Sequence, residues 1–348
     1  MLRSSLVAVA LLVAPIGCGG LAADGHSDAG AGGDAASDGV SVSGPDAGQD
    51  ADGRQDALGA TTAPDAQDEP TAPPPDLLTG GGVADPADLA VDDTSVYWFS
   101  TNAVFKVAKG GGQAFTLAMA MAGPSAIAVD SHSVYYTNGY ALMSVPLGGG
   151  TPVTVVTSIG VTAALALNAS HIYWANNRGP IDAMPMDAGI DGGAITQLGF
   201  GRCYPSRVAI DGISVYWADC GVSKAPLSGA GPTVQLTSSG SGRIAVDSAN
   251  VYFAASGVGA SPGGVFSVPV GGGTAQLLAQ AQLVSGLAAD GTNVYFADQA
   301  QGTVQYVPRS GGAIVYLATG QTRPRGIAVD SSFVYFGTDE GIYRASRH

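Results

Sequence analysis

The stretch RPRGIAVDSSFVYFGTD, residues 323 to 339, decides the fold, because six earlier segments repeat its middle. Aligned on the tyrosine, Val/Ile-Tyr recurs at Tyr97, Tyr135, Tyr173, Tyr216, Tyr252, Tyr295 and Tyr335. Five residues ahead stands an acid or amide: Asp92, Asp130, Asn168, Asp211, Asp247, Asp290 or Asp330. Two residues before that comes an alanine each time, from Ala90 to Ala328. The anchors are spaced by 38, 38, 43, 36, 43 and 40 residues. A period of this size marks an array of small supersecondary units.

Each unit opens as Ile127-Ala128-Val129-Asp130 does, with aliphatic residues on one face of a strand and alanine on the other. A strand without a polar face must be covered on both sides, and neighbouring units can supply the cover. The Asp caps the following turn by accepting nearby backbone N–H groups, a role open to Asn168 as well. Val-Tyr-aromatic then makes a second strand. A third follows, as in Leu142 to Pro146, and prolines such as Pro146, Pro226, Pro269 and Pro308 end it. Glycine clusters come next, among them Gly110 to Gly112 and Gly148 to Gly150, and then a fourth strand such as Val153 to Val156. With no helix and no Lys-Ser/Thr behind them, these glycines read as hairpin turns and not as phosphate loops.

Four antiparallel strands every forty residues or so predict an all-β chain, a β-propeller. Seven anchors predict seven blades. The seventh unit runs out at His348 after its third strand, and Leu77-Leu78-Thr79 stands where a fourth strand precedes an anchor. The ring is therefore expected to close by an N-terminal strand completing the last blade. Pro324-Arg325-Gly326-Ile327-Ala328-Val329-Asp330 and Tyr216-Trp217-Ala218-Asp219 resemble the repeats of the low-density-lipoprotein-receptor YWTD propellers. The resemblance spans residues 77 to 348, and it implies the fold. The motif's last Asp is matched only by Asp219 and Asp298, and in that family it is mainly structural. The family's ligand residues lie outside the repeat, so no ligand is implied.

Residues 1–18 carry one basic residue, an apolar run from Leu6 to Ile16 and then Gly17-Cys18, a signal-peptide pattern too short to span a membrane. Its end resembles a bacterial lipobox, which would lipidate Cys18. Pro15 departs from the usual aliphatic residue, and a plain secretory leader is the alternative. Residues 19–75, rich in Ala, Asp, Gly and Pro and lacking any aromatic, are expected to be a disordered tether spanning about 40 Å root-mean-square. Asp50 to Gly53 invite a calcium reading, yet the EF-hand register puts Gly48 and Gly59 where carboxylates are needed. The folded domain is assigned to residues 76–348.

Net charge is −14, and residues 19 to 76 hold twelve acids against one base. The twelve basic residues beyond are scattered, so no nucleic-acid footprint is present. In an exported chain Cys203 and Cys220 are expected to form a disulfide, since both return to one end of a hairpin. Two free thiols or a metal pair are the alternatives, and no histidine stands at ligand spacing.

Loops that lead into strand one share the upper face with those joining strands two and three. There lie Arg202, Tyr204, Arg207, Arg243, Arg323 and Arg325, with Asp219 and Asp298 among the acids opposite them. Two readings stand: a shallow site for anions or carbohydrate, with guanidiniums forked onto carboxylates or hydroxyls, or structural ion pairs, the commoner arrangement. His132 and His171 occupy turns on the other face, and strand one offers the axis mainly aliphatic residues, so no catalytic residue is assigned. A cofactor is not expected, although calcium at Asp187 and Asp191 is conceivable. The sequence thus describes a protein of the bacterial outer membrane or cell surface, lipid-anchored, that binds or scaffolds a protein or carbohydrate partner on its upper face. The alternatives are a metal-dependent propeller lyase or hydrolase and an outer-membrane assembly subunit.

Overall fold

The computed structural model describes residues 73–347 except 81–85, 87, 120–122, 158, 161, 187–193, 241 and 258–262. Cys18, the leader, nearly all of the tether, Asp187 and Asp191 lie outside the described residues. The regular elements described are all strands, and they form seven four-stranded antiparallel sheets. The chain is a seven-bladed β-propeller. Blade one shows the plan, running through Asp88–Val91, Ser95–Ser100, Ala103–Ala108 and Phe115–Met119 in simple up-and-down order. The first strands of successive blades lie against one another, and that of blade seven lies against that of blade one, so they ring the axis.

Closure is as the sequence suggested. Asp76–Gly80 pairs antiparallel with Gly341–Ser346, supplying blade seven's fourth strand. Leu78 is buried in that seam with Leu89, Trp98, Tyr335 and Ile342. Where strand three meets strand four, each blade breaks register at one equivalent buried aliphatic, from Val104 in blade one to Ile342 in blade seven. A bulge there increases twist, which lets flat sheets become propeller blades. The glycine clusters form the turns between these strands. Gly111 and Gly112 sit at φ 86° and 129°, and the Gly111 amide donates to Ala108 O at 2.8 Å. A side chain is disfavoured there.

The anchor aspartate is a three-way latch. Asp92 Oδ1 accepts the amides of Thr94 and Ser95 at 2.7 and 2.8 Å, and Oδ2 accepts the Tyr97 hydroxyl at 2.6 Å. The pattern recurs at Asp211, Asp247, Asp290 and Asp330. In blade three Asn168 keeps both amide bonds and reverses the third, its Nδ2 donating to the Tyr173 oxygen at 3.0 Å. Burial, then the neighbouring carboxylate, pushes the Tyr135 and Tyr252 hydroxyls up to about 12.

Blades are also joined laterally by cations at the end of strand three. Lys109 of blade one reaches Asp330 of blade seven at 2.6 Å, Arg309 of blade six reaches Asp247 of blade five at 3.1 Å, and Arg347 of blade seven bonds Asp290 of blade six. The equivalent positions in blades two to five are Leu147, Met186, Leu227 and Val270. Ion pairs between blades thus cluster around the closure seam.

Candidate functional site

The residues predicted on the upper face divide into three groups. Arg207 opens strand one of blade four, Arg325 opens that of blade seven, and Arg243 directly precedes Ile244–Val246 in blade five. The sequence placed them on surface loops, but they are only 3%, 8% and 5% exposed. The register explains this. Arg207 and Arg243 stand two residues before the repeat alanine, which is a strand position at the axis and not a loop position. Asp88 occupies the same position in blade one and is fully buried. Strand one is otherwise mainly aliphatic, as the sequence suggested, and these charged side chains stand at or just before its first residue.

These four side chains form one electrostatic group. Burial, then the like charge of Arg207 and of Arg325, pulls Arg243 well below the ordinary guanidinium range, with Asp88 opposing. Burial brings Arg207 down to about 10, again against Asp88. A guanidinium keeps its proton at any accessible pH, so these shifts record chiefly how far the two side chains are withdrawn from water. Arg243 Nη1 is buried and has no hydrogen-bond partner among the described residues.

Asp219 and Asp298 serve the backbone. Asp219 Oδ2 accepts the Arg202 amide at 2.8 Å. Asp298 accepts the amides of Gln282 and Leu283 at 2.8 and 3.2 Å and those of Ala300 and Gln301 at 3.1 and 3.3 Å, so it braces two loops of blade six. Both carboxylates are buried. The third group is exposed. Arg202 donates from Nη1 to Gln235 Oε1 at 2.8 Å, and Arg323, at φ 51°, pairs with Asp339 at 3.5 Å. Between them in sequence lies Tyr204, the most exposed large hydrophobic side chain among the described residues, at 78%. Its loop is held by the Cys203–Cys220 disulfide, whose Cα atoms are 5.7 Å apart. Met119, Tyr140 and Phe200 are exposed at the same end of their blades.

The lower mouth of the axial channel opens into a cavity of about 960 Å³. Its walls include Asp92, Asp247, Asp290 and Asp330 with Lys109, Arg309 and Arg347. These cations are the ones paired between blades, so each of the three already faces an aspartate. Among the described residues no three His, Cys, Asp or Glu side chains gather closely enough to hold a metal ion.

No protein-family model matches the chain. No curated protein sequence matches it either. Solved structures similar to it include virginiamycin B lyase from Staphylococcus aureus, 14% identical with a TM-score of 0.60 over 75% of this chain and 94% of that one. BamB from Moraxella catarrhalis is 14% identical, with a TM-score of 0.50 over 73% of this chain and 82% of its own. The extracellular domain of the one-component system BT4673 from B. thetaiotaomicron is 11% identical, with a TM-score of 0.57 over 78% of this chain and 40% of its own. Likeness at these identities establishes the propeller and leaves function to the site.

Proposed function

We propose that the chain is an exported propeller that binds or scaffolds a protein or glycan partner on its upper face. On this reading residues 1–18 are a leader, Cys18 carries the lipid anchor, residues 19–75 are the tether and the YWTD-like ring from residue 76 is the working domain. The observation that carries the reading is the loop from Arg202 to Tyr204. It is braced by a disulfide and by the Asp219 bond to the Arg202 amide, yet it leaves Tyr204 in solvent. A rigid loop presenting tyrosine beside arginine loses little freedom on binding, and these residue types dominate interface energetics. That one similar propeller is an extracellular domain agrees with export.

The test is photo-crosslinking from position 204 on intact cells, paired with a glycan array using the purified chain. Arg202→Ala with Tyr204→Ala should lower binding of the captured partner about tenfold or more, as the loss of two anchor residues does. An unchanged partner profile in the double variant would refute the assignment of this loop. Labelling with an alkynyl fatty acid, abolished by Cys18→Ala, tests the anchor separately.

A further inference from the structure

We propose that the axial end of the ring beneath this face is an oxyanion site, in which Arg207, Arg243 and Arg325 surround a doubly negative phosphate or sulfate group with Asp88 as a built-in counter-charge. This deepens the binding reading by naming a ligand class and rests on it only for the face through which the ligand arrives.

Charge and hydrogen bonding both lead to this class. The charges acting on Arg243 are two like and one opposite. All four side chains are at least nine-tenths buried, so water screens them poorly. Among the described residues, three guanidiniums against one carboxylate leave two positive charges over, the complement of a dianion and not of chloride or a single carboxylate. Arg243 Nη1 brings a donor that is shut off from water and has no acceptor among the described residues. An N–H in that state is costly unless an acceptor arrives, and guanidinium forks match tetrahedral oxyanions through paired, charge-assisted bonds. The register supports a built feature, because Asp88, Arg207 and Arg243 share one repeat position on strands that ring the axis. The lower mouth contrasts with this, since Lys109, Arg309 and Arg347 there each face an aspartate.

The test is isothermal titration of the purified full chain with sodium sulfate and with inorganic phosphate, against sodium chloride at equal ionic strength. Concentrations stay in the low millimolar range, below those at which sulfate stabilises proteins generally. Saturable binding of sulfate or phosphate is expected, absent with chloride and weakened about tenfold or more in Arg243→Gln. Asp88→Asn, which removes the counter-charge, should bind the same ions more tightly, so a poorly folding Arg243 variant does not end the test. A sulfated or phosphorylated monosaccharide that outbinds the inorganic ion identifies an ester on a larger ligand, and one that binds less well identifies the free ion. Sulfate and phosphate binding no better than chloride, full affinity in Arg243→Gln, or weaker affinity in Asp88→Asn overturns the proposal. Tyr204→Ala should leave ion binding unchanged, so failure of the Tyr204 loop and failure of the oxyanion site are told apart.

Discussion

Replacing Asp330 by alanine and by asparagine separates the two jobs of the anchor carboxylate. Asp330 accepts the amides of Ser332 and Phe333 at 2.8 Å each, the Tyr335 hydroxyl at 2.8 Å and the Lys109 ammonium at 2.6 Å. Burial by itself would raise its pKa, but the bonds from Lys109, the two amides and Tyr335 outweigh it and hold the group below the ordinary carboxylate value. Asp330→Ala removes four interactions at a net value of roughly 1 kcal/mol each. Discounted for partial exposure, the loss is about 3 kcal/mol. Asp330→Asn keeps both amide bonds and can donate to Tyr335, as Asn168 does to Tyr173, so it loses mainly the ion pair, about 1 kcal/mol. At roughly 2–4 °C per kcal/mol for a domain of this size, alanine should lower Tm by about 6–12 °C and asparagine by about 2–4 °C. Urea titration followed by fluorescence of the buried Trp98, Trp174 and Trp217 checks the free energies. Because the folded value is depressed, this stabilisation is complete above the ordinary carboxylate value of 3.8 and disappears as pH falls through the lower folded one. Asparagine should flatten that acid limb. If asparagine costs as much as alanine, the carboxylate's charge and not its turn geometry holds the blade, and the latch account is wrong.

Three further outcomes are expected. Changing Cys203 and Cys220 to serine opens a cross-link of sequence separation 17 and should cost about 3 kcal/mol, read from the same urea titration under non-reducing conditions. Burial pushes Asp182 up to about 6, so the folded state keeps a proton that the unfolded chain releases and stability declines as pH rises from about 4 to about 6. Asp182→Asn should therefore raise stability by about 1 kcal/mol above pH 6 and change it little below pH 4, in thermal melts across pH. Leu78→Asp puts a charge into the closure seam and should detach the strand Asp76–Gly80, seen as new proteolytic cleavage there and a larger hydrodynamic radius.

The architecture was legible because it rests on local and periodic signals. The anchor acids announced their Asx turns, the glycines their hairpins, and Leu77 to Thr79 the missing strand, each through chemistry that depends on spacing alone. The candidate site was half legible. The sequence collected Arg207, Arg243 and Arg325 but left them on surface loops, although counting back from the repeat alanine puts Arg207 and Arg243 on strand one beside Asp88 in register. Asp88 went unnoticed because a lone acid at the start of a strand has no local signature. The pairing of Lys109, Arg309 and Arg347 with the preceding blade's aspartate was hidden for another reason. It spans 221, 62 and 57 residues of sequence and depends on the reach of long side chains between adjoining sheets.

The closing strand gives the ring a direction. Asp76 pairs with Arg344 and Gly80 with Gly341, so the chain joins the propeller at the end of blade seven that carries the aspartate turns and runs towards the end that carries Tyr204. The strand Asp76–Gly80 thus enters the ring at one pole while the braced tyrosine loop occupies the other. A partner seated on Tyr204 would meet neither the joint nor its cross-blade ion pairs, and a pull on the N-terminal side would load the seam of blade seven before it reached the partner.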